Sequence, residues 1–249
     1  MINIFKKKEY LKDSLGGFID IHNHLLPGID DGSPDLETSI TLIRRFNNLG
    51  VKEFICTPHI MNDYYPNTPE TVHNALTLLK DSLLQTQDLK HTKIRAAAEY
   101  MMDQSFMEKL ESEKILTLND KYILVEMSYF QAPINLKEIL FQLQTKGYKP
   151  VLAHPERYAY YHSKDLSKYE DLKNRGCLFQ VNALSLSSHY GTGIQRTAFQ
   201  LLEAGMIDFI GTDTHREQHI EKLESITIHK KLSSPLNKVL DATKEAFIS

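Results

Sequence analysis

The chain has only two cysteines in 249 residues, Cys56 and Cys177, and both fall in apolar segments far apart in sequence. This excludes a disulfide framework and leaves them as reduced core residues. An excess of one charge is also lacking: 29 basic side chains face 32 acidic ones, for a formal net charge of -3. No cluster of Lys and Arg marks a groove for a phosphate backbone, so a nucleic-acid partner is not expected. No stretch approaches the roughly 18 apolar residues of a membrane-spanning helix, and MINIFKKKEYLKD at the N-terminus has no apolar core of signal-peptide length. Membrane insertion is therefore not expected, and the expected location is the cytoplasm. Repeats, low-complexity tracts and linkers are missing too. With 41% hydrophobic residues, the chain is large enough for a sizeable core and fits one domain of barrel size. Residues 1–16 read as an N-terminal extension and 17–249 as the domain itself, ending in one or two closing helices.

From residue 17 onward, short β-rich runs alternate with segments of helical period. The candidate strands are FIDIH (18–22), EFICT (53–57), KIRAAAE (93–99), YILVEM (122–127), KPVLAH (149–154), CLFQVN (177–182) and IDFIGT (207–212). Between them lie amphipathic stretches such as DLETSITLIRRFNNLG, where Leu36, Ile40, Ile43 and Phe46 recur at three- or four-residue spacing and Gly50 supplies a stop. TPETVHNALTLLKDSLLQ, LKEILFQLQTKG, DLSKYEDLKNRG and GIQRTAFQLLEAG repeat the pattern. Apolar strands alternating with amphipathic helices predict a parallel sheet covered by helices, and the seven units are enough to close into a distorted (β/α)7 barrel. An open doubly wound sheet would give a similar pattern.

In such architectures the functional face lies at the C-terminal ends of the strands. Those ends carry His22 and His24, His59, Glu99, Glu126, His154, and Asp213 with His215; the exception, CLFQVN, carries Gln180 and Asn182. Unpaired carboxylates and imidazoles crowded into one mouth would cost free energy through desolvation and like-charge repulsion unless cations neutralise them. His22 and His24 lie two apart, so an extended strand turns both toward the same face, with Asp20 behind them as a hydrogen-bonded acid or a partner of a ligand histidine. In GIDDGS, Asp31 is read as a further ligand because it lies close to this pair, and Asp30 as a turn former or helix N-terminal charge. Imidazole and carboxylate without thiolate suit Mn, Fe or Zn in a catalytic setting, and the donors outnumber what one ion can use, which predicts two or three divalent ions. The other histidines, including His189 and His219, are expected to be surface or structural. RYAYYH (157–162) and NDYYP (62–66) are candidate walls for an aromatic substrate, or simply packing.

HNH at 22–24, DDG at 30–32, TPH at 57–59, Glu99, Glu126, HPER at 154–157 and DTH at 213–215 together resemble the polymerase and histidinol phosphatase (PHP) superfamily. The nearest resemblance within it is to the bacterial tyrosine-protein phosphatases of capsule and exopolysaccharide loci. It implies a distorted (β/α)7 barrel with a trinuclear, often manganese-dependent centre held by His22, His24, Asp31, His59, Glu99, Glu126, His154, Asp213 and His215. It further implies that Arg157 binds substrate phosphate, with His59 and Asp213 beside it as catalytic candidates. REQHIEKL, after His215, departs from the family pattern and gives Arg216 no assured role. The expected reaction is hydrolysis of phosphotyrosine by a metal-bound hydroxide, with an autophosphorylated tyrosine kinase tail as protein substrate. The thiol route of other tyrosine phosphatases needs an arginine six positions after its cysteine; those positions hold Asn62 and Ala183. Two other readings share the same centre: a small-molecule phosphomonoesterase such as one for histidinol phosphate, and a metal-binding regulatory module without turnover.

Overall fold

The computed structural model describes residues 8–112 and 114–248; the first seven residues of the expected N-terminal extension lie outside them. Among the described residues there are nine strands: β1 (Ile19–Asp20), β2 (Glu53–Cys56), β3 (His59–Ile60), β4 (Lys93–Ala96), β5 (Glu99–Met101), β6 (Tyr122–Glu126), β7 (Lys149–Ala153), β8 (Leu178–Asn182) and β9 (Phe209–Gly211). All their pairings are parallel, in the orders β1-β2-β4 and β3-β5-β6-β7-β8-β9. The two sheets are one surface with a kink. Ala97 N donates to Cys56 O at 2.8 Å and Glu99 N to Pro58 O at 3.0 Å, which carries the β2/β4 ladder into β3/β5. The nine strands therefore form seven units, at the seven places read from the sequence.

The surface closes on itself. Asn23 and Thr214 form a parallel bridge, Asp213 N donates to His22 O at 2.7 Å, and His24 N donates to Thr214 O at 3.0 Å. Nearer the start of the seam, Asp20 takes the place of a backbone partner: its carboxylate accepts from Thr212 N at 2.9 Å and Thr212 Oγ1 at 2.6 Å. Asp20 is thus a buried structural acid joining the first strand to the last.

The helices are α1 (Leu36–Asn48), α2 (Pro69–Gln85), α3 (Gln104–Ser112), α4 (Leu136–Thr145), α5 (Ser167–Asn174), α6 (Thr192–Glu203), α7 (Glu217–Ser225) and α8 (Lys230–Phe247). Local chemistry sets several of their starts. Asp35 accepts from Thr38 N at the head of α1, and Thr68 forms a capping box with Thr71 ahead of α2. α3 leaves little trace in the sequence because its buried positions are only Phe106 and Leu110; Asp103 starts it by accepting from Phe106 N. Alternation along the strands divides the core in two. Phe54, Ile123, Val125, Leu152 and Val181 pack outward with helix residues such as Phe46, Leu79, Ile139 and Leu201. Ile19, Ile55, Leu124, Val151 and Phe209 fill the inside of the ring together with Phe247 from the end of α8. Burial on both faces is what a parallel barrel demands.

Leu11 and Leu15 are buried in the outer core, and Tyr10 bridges Thr227 between α7 and α8. Residues 8–16 thus lie against the two last helices. Among the described residues, no helix is long and apolar enough to cross a membrane.

Candidate metal centre

Six of the seven strand units bring ionisable side chains to one end of the ring. His22 and His24 follow β1, His59 opens β3, Glu99 opens β5, Glu126 ends β6, His154 follows β7, and Asp213 and His215 follow β9. Asp31 reaches the same place from the loop between β1 and α1. Two positions show backbone strain. His154 (φ 38°) and Asp213 (φ 53°) are non-glycine residues in the left-handed region, a conformation that persists only where the surroundings over-determine it. Elsewhere glycine makes the room: a Cβ on Gly211 would meet His22 Cβ at 2.6 Å, and one on Gly32 would meet His24 Cβ at 2.4 Å.

The donor atoms fall into overlapping groups, each within 4.8 Å: His24, Asp31, His59 and His215; His22, His154 and Asp213; His22, His24 and Glu99; and His59, Glu99 and Glu126. All nine residues expected to bind metal are gathered here. Their separations are informative. His22 Nε2 lies 3.2 Å from Glu99 Oε2 and 3.4 Å from Asp213 Oδ1, His24 Nε2 3.3 Å from Asp213 Oδ1, and His154 Nε2 3.1 Å from Glu99 Oε1. Ligand atoms about 2.0–2.2 Å from a shared ion stand about 2.8–3.6 Å apart in octahedral or tetrahedral geometry. The observed spacings match the edges of such polyhedra. The orientation of these atoms agrees: His22 Nε2, His24 Nε2, His59 Nδ1, both Glu99 oxygens and Glu126 Oε1 are buried without a hydrogen-bond partner. Orphaned buried polar atoms are rare and costly, and here they converge on one another. The residues fit divalent ions.

Three imidazoles are held by their other nitrogen. His22 Nδ1 is 2.6 Å from Gln180 Oε1, His24 Nδ1 is 2.7 Å from Asp30 Oδ2, and His215 Nδ1 is 2.9 Å from the Asp213 carbonyl. Each of those oxygens accepts, so Nδ1 carries the proton and the Nε2 lone pair is left for an ion. Asp30 is therefore more than a turn former. Its buried carboxylate also accepts from Gly32 N at 3.0 Å and His59 N at 3.2 Å. Asn182, on the strand that supplies no ionisable donor, donates from Nδ2 to Asp213 Oδ2 at 2.6 Å.

Burial would push the Glu99 carboxyl up, yet His22 and His59 hold it well below the carboxylate range. Glu126 goes the other way, raised by burial and then by the neighbouring Glu99 charge. Burial opposes charge on the His59 imidazole too, but Glu126 and Glu99 carry it to about 9. Without cations the neighbouring carboxylates draw protons onto His22, His24 and His59 against the opposing effect of burial, whereas burial prevails at His154 and holds it down. Asp31 is the most open member and is lowered to about 2: its partial burial is outweighed by the His215 hydrogen bond and charge.

Arg157 Nη1 lies 2.8 Å from Asp213 Oδ2, and its guanidinium sits 4.8 Å from the ring centre of Tyr129 and 4.2 Å from that of Tyr190. Stacking on both rings fixes the fork at the rim of the cluster. A cavity of ≈ 720 Å³ opens over the donors, lined also by Tyr64, Tyr65, Met101, Tyr129 and Phe130. Tyr65 stacks on His59 at 5.5 Å. NDYYP therefore does wall the mouth, whereas the tyrosines of RYAYYH are packing residues: Tyr158 is buried and donates to Ala153 O, and Tyr160 donates to Ser128 O. Tyr129 and Phe130, in the loop after β6, went unnoticed in the sequence because nothing local separates a rim aromatic from any exposed one. His219 and His189 are also nearer the centre than expected. His219 Nδ1 accepts from His215 N at 3.3 Å, and His189 packs against the His219 ring at 5.4 Å.

Fold and site together define a parallel (β/α) barrel protein whose C-terminal mouth gathers donor atoms that fit divalent metal. The family model for capsular polysaccharide synthesis, CpsB/CapC, matches residues 18–235. The tyrosine-protein phosphatase YwqE of Bacillus subtilis is 32% identical over 238 residues, which cover 92% of this chain and 91% of YwqE. The tyrosine-protein phosphatase CpsB of Streptococcus agalactiae serotype V is 27% identical over 204 residues, 79% of this chain and 82% of that protein. A solved structure, from crystallographic work on YwqE from Bacillus subtilis and CpsB from Streptococcus pneumoniae as metal-dependent tyrosine phosphatases, superposes with a TM-score of 0.80. It is 30% identical, over 92% of this chain and 94% of its own. The chain belongs to the CpsB/CapC family of capsular polysaccharide synthesis.

Proposed function

We propose that this protein is a metal-dependent protein-tyrosine phosphatase acting in capsule or exopolysaccharide synthesis. The observation that carries the reading is the convergence of buried imidazole and carboxylate atoms that lack hydrogen-bond partners and stand at polyhedron-edge spacings. The activity named for the relatives supports it. We assign His22, His24, Asp31, His59, Glu99, Glu126, His154, Asp213 and His215 to two or three divalent ions, manganese before iron or zinc. When bound, such ions polarise phosphoryl oxygens and supply an activated water at neutral pH.

The chain's own groups do the rest. Arg157 points its fork over the cluster and pairs with phosphoryl oxygens, while Asp213 anchors it at 2.8 Å. We also place His59, stacked on Tyr65, and Asp213, paired with Arg157, beside the reacting phosphate. Phenol has a parent pKa of about 10, so phenolate departs without an obligatory proton donor. Tyr64, Tyr65 and Phe130 give the leaving ring apolar walls. Cys56 and Cys177 are buried thiols: burial pushes Cys56 well above the usual range and Cys177 to about 12, which removes both as nucleophiles.

The protein substrate in this reading is the phosphorylated tail of a tyrosine kinase in the cytoplasm, and residues 17–249 act as one catalytic domain behind the extension at 1–16. Metal analysis coupled to phosphate release from a phosphotyrosyl peptide tests the activity. We expect turnover that disappears on chelation, returns with manganese and survives thiol alkylation. Metal-loaded protein that binds the peptide and releases no phosphate would overturn it, and faster turnover of histidinol phosphate than of the peptide would move the substrate class.

A further inference from the structure

A second cavity, of ≈ 490 Å³, adjoins the first on the far side of the donors. It shares Asp31, Arg157, Asp213 and His215 with its neighbour and adds His189, Tyr190, Arg216, Gln218, His219 and Lys222. The two cavities differ in character: one is walled by aromatic and Met side chains, the other by cations. The sequence places the charges. On α7 and the residue before it, Arg216, His219 and Lys222 recur every third position and face the cavity, whereas Glu217, Glu221 and Glu224 lie on another face, where all three pair with Arg45. The acidic half of the helix is thus spent on α1.

Among the described residues, Arg216 and Lys222 have no carboxylate partner. Lys222 Nζ instead donates to His189 Nδ1 at 2.8 Å, so His189 presents its Nε2 as a donor. Among the described residues, the only carboxylates lining this cavity are Asp31 and Asp213, both members of the donor cluster, whose charge belongs to the ions. What remains is net positive, open to solvent and contiguous with the reacting centre.

We infer that Arg216, Lys222 and His189 form a second anion subsite, which takes a negatively charged group carried by the substrate peptide a few residues from the phosphotyrosine. This rests on the phosphatase reading. With the phenyl ring against Tyr65 and the phosphate at the donors, the flanking chain crosses to the cationic side. The anion is either a carboxylate of a neighbouring Asp or Glu or a second phosphate on a neighbouring tyrosine, and it selects acidic or multiply phosphorylated segments over neutral ones.

The test uses the full chain loaded with manganese and three phosphotyrosyl peptides of equal length: one with neutral neighbours, one with Glu on both sides, and one with a second phosphotyrosine. Both kcat/KM for phosphate release and Kd by calorimetry are measured. Each exposed ion pair is worth up to about fivefold, so the charged peptides are expected to be preferred by about fivefold or more, less so as salt is raised. R216Q/K222Q is expected to bring the charged-to-neutral ratio close to one, and R216E to reverse it. The ratio is read within each variant, so a folding defect that slows all peptides leaves it interpretable. Preference for the doubly phosphorylated peptide alone identifies phosphate as the occupant; preference for both charged peptides identifies a general anion site. Equal Kd and kcat/KM for the three peptides, or an unchanged ratio in R216Q/K222Q, would overturn the subsite. No turnover with a charge preference retained in Kd would instead sink the phosphatase reading and leave the subsite standing.

Discussion

Replacing Asp30 with alanine separates orientation of the metal centre from direct ligation. Asp30 is the carboxylate that the sequence offered as a mere turn residue, yet its fully buried side chain accepts from His24 Nδ1 at 2.7 Å, Gly32 N at 3.0 Å and His59 N at 3.2 Å. It belongs to none of the donor groups. Its removal frees the His24 ring to turn or change tautomer, and loss of such a partner typically weakens a metal site by about 10- to 100-fold, or about 1.4–2.7 kcal/mol. It also orphans two backbone N–H groups, at about 1–3 kcal/mol each unless water replaces the carboxylate. The assay is a metal titration of the metal-free protein against a competing chelator, with denaturant unfolding run in parallel. The expected result is weaker metal binding, with kcat largely recovered at saturating metal, because the nine donors remain. Asp31→Ala, which removes a donor with a half-exposed side chain, should do the opposite, lowering kcat even when metal is in excess. If Asp30→Ala lost folding stability and kept wild-type metal affinity, Asp30 would be only a turn residue and the orientation argument would fail.

Gly211→Ala should cost about 1–3 kcal/mol of stability through overpacking and weaken metal binding, because the added methyl meets His22 Cβ at 2.6 Å and Gln180 Nε2 at 3.1 Å; denaturant unfolding and the same titration would show it. Arg157→Lys keeps the charge but loses the fork and the stacking on Tyr129 and Tyr190, so kcat/KM for a small aryl phosphate should fall about tenfold or more. In the metal-free protein, His59 is raised to about 9, above its ordinary value of about 6.5. Its contribution to stability is therefore complete below the lower value and drains away as pH rises through the higher one, which thermal unfolding from pH 6 to 10 in chelator would reveal as a falling midpoint.

The strand pattern was legible because a parallel barrel buries both faces of every strand. Runs such as YILVEM and KPVLAH carry apolar residues on both parities, and a buried ionisable residue breaks the pattern near the C-terminal end of each. Those breaks, Glu126 and His154, lie in the mouth, and the reasoning that led to them is an energetic one: a carboxylate or imidazole at the end of a buried strand is costly unless something binds it. What stayed hidden depends on partners distant in sequence. Gln180 could be seen at a strand end, but its bond to His22, 158 positions away, could not. Asp30 and Asp31 are neighbours of identical type, and only the folded loop shows that one turns back on His24 while the other opens toward His59 and His215. The short α3 lacked a long enough apolar stripe to register. His189 and His219 read as bystanders because they come after the strand ends, on segments that the barrel folds back over its mouth.

Charge balance bears on how many ions the mouth holds. The donor groups contain four carboxylates, Asp31, Glu99, Glu126 and Asp213, and five imidazoles, His22, His24, His59, His154 and His215; ligand imidazoles are neutral. Nearby, Asp30 and Arg157 cancel. Two divalent ions would only neutralise the four carboxylates, leaving the rim cations alone to attract a phosphate monoester, which is close to dianionic at neutral pH. A third ion would leave two positive charges, the complement of that dianion. The overlap of the groups suits more than one ion, since Glu99 appears in two of them with different histidines and both its oxygens lack hydrogen-bond partners. Three ions per chain are therefore expected, the last of them bound more tightly when inorganic phosphate is present. Metal counting by mass spectrometry, with and without phosphate, reads this directly. A stoichiometry that stays at two and is indifferent to phosphate would refute the charge argument while leaving the geometry of the donors untouched.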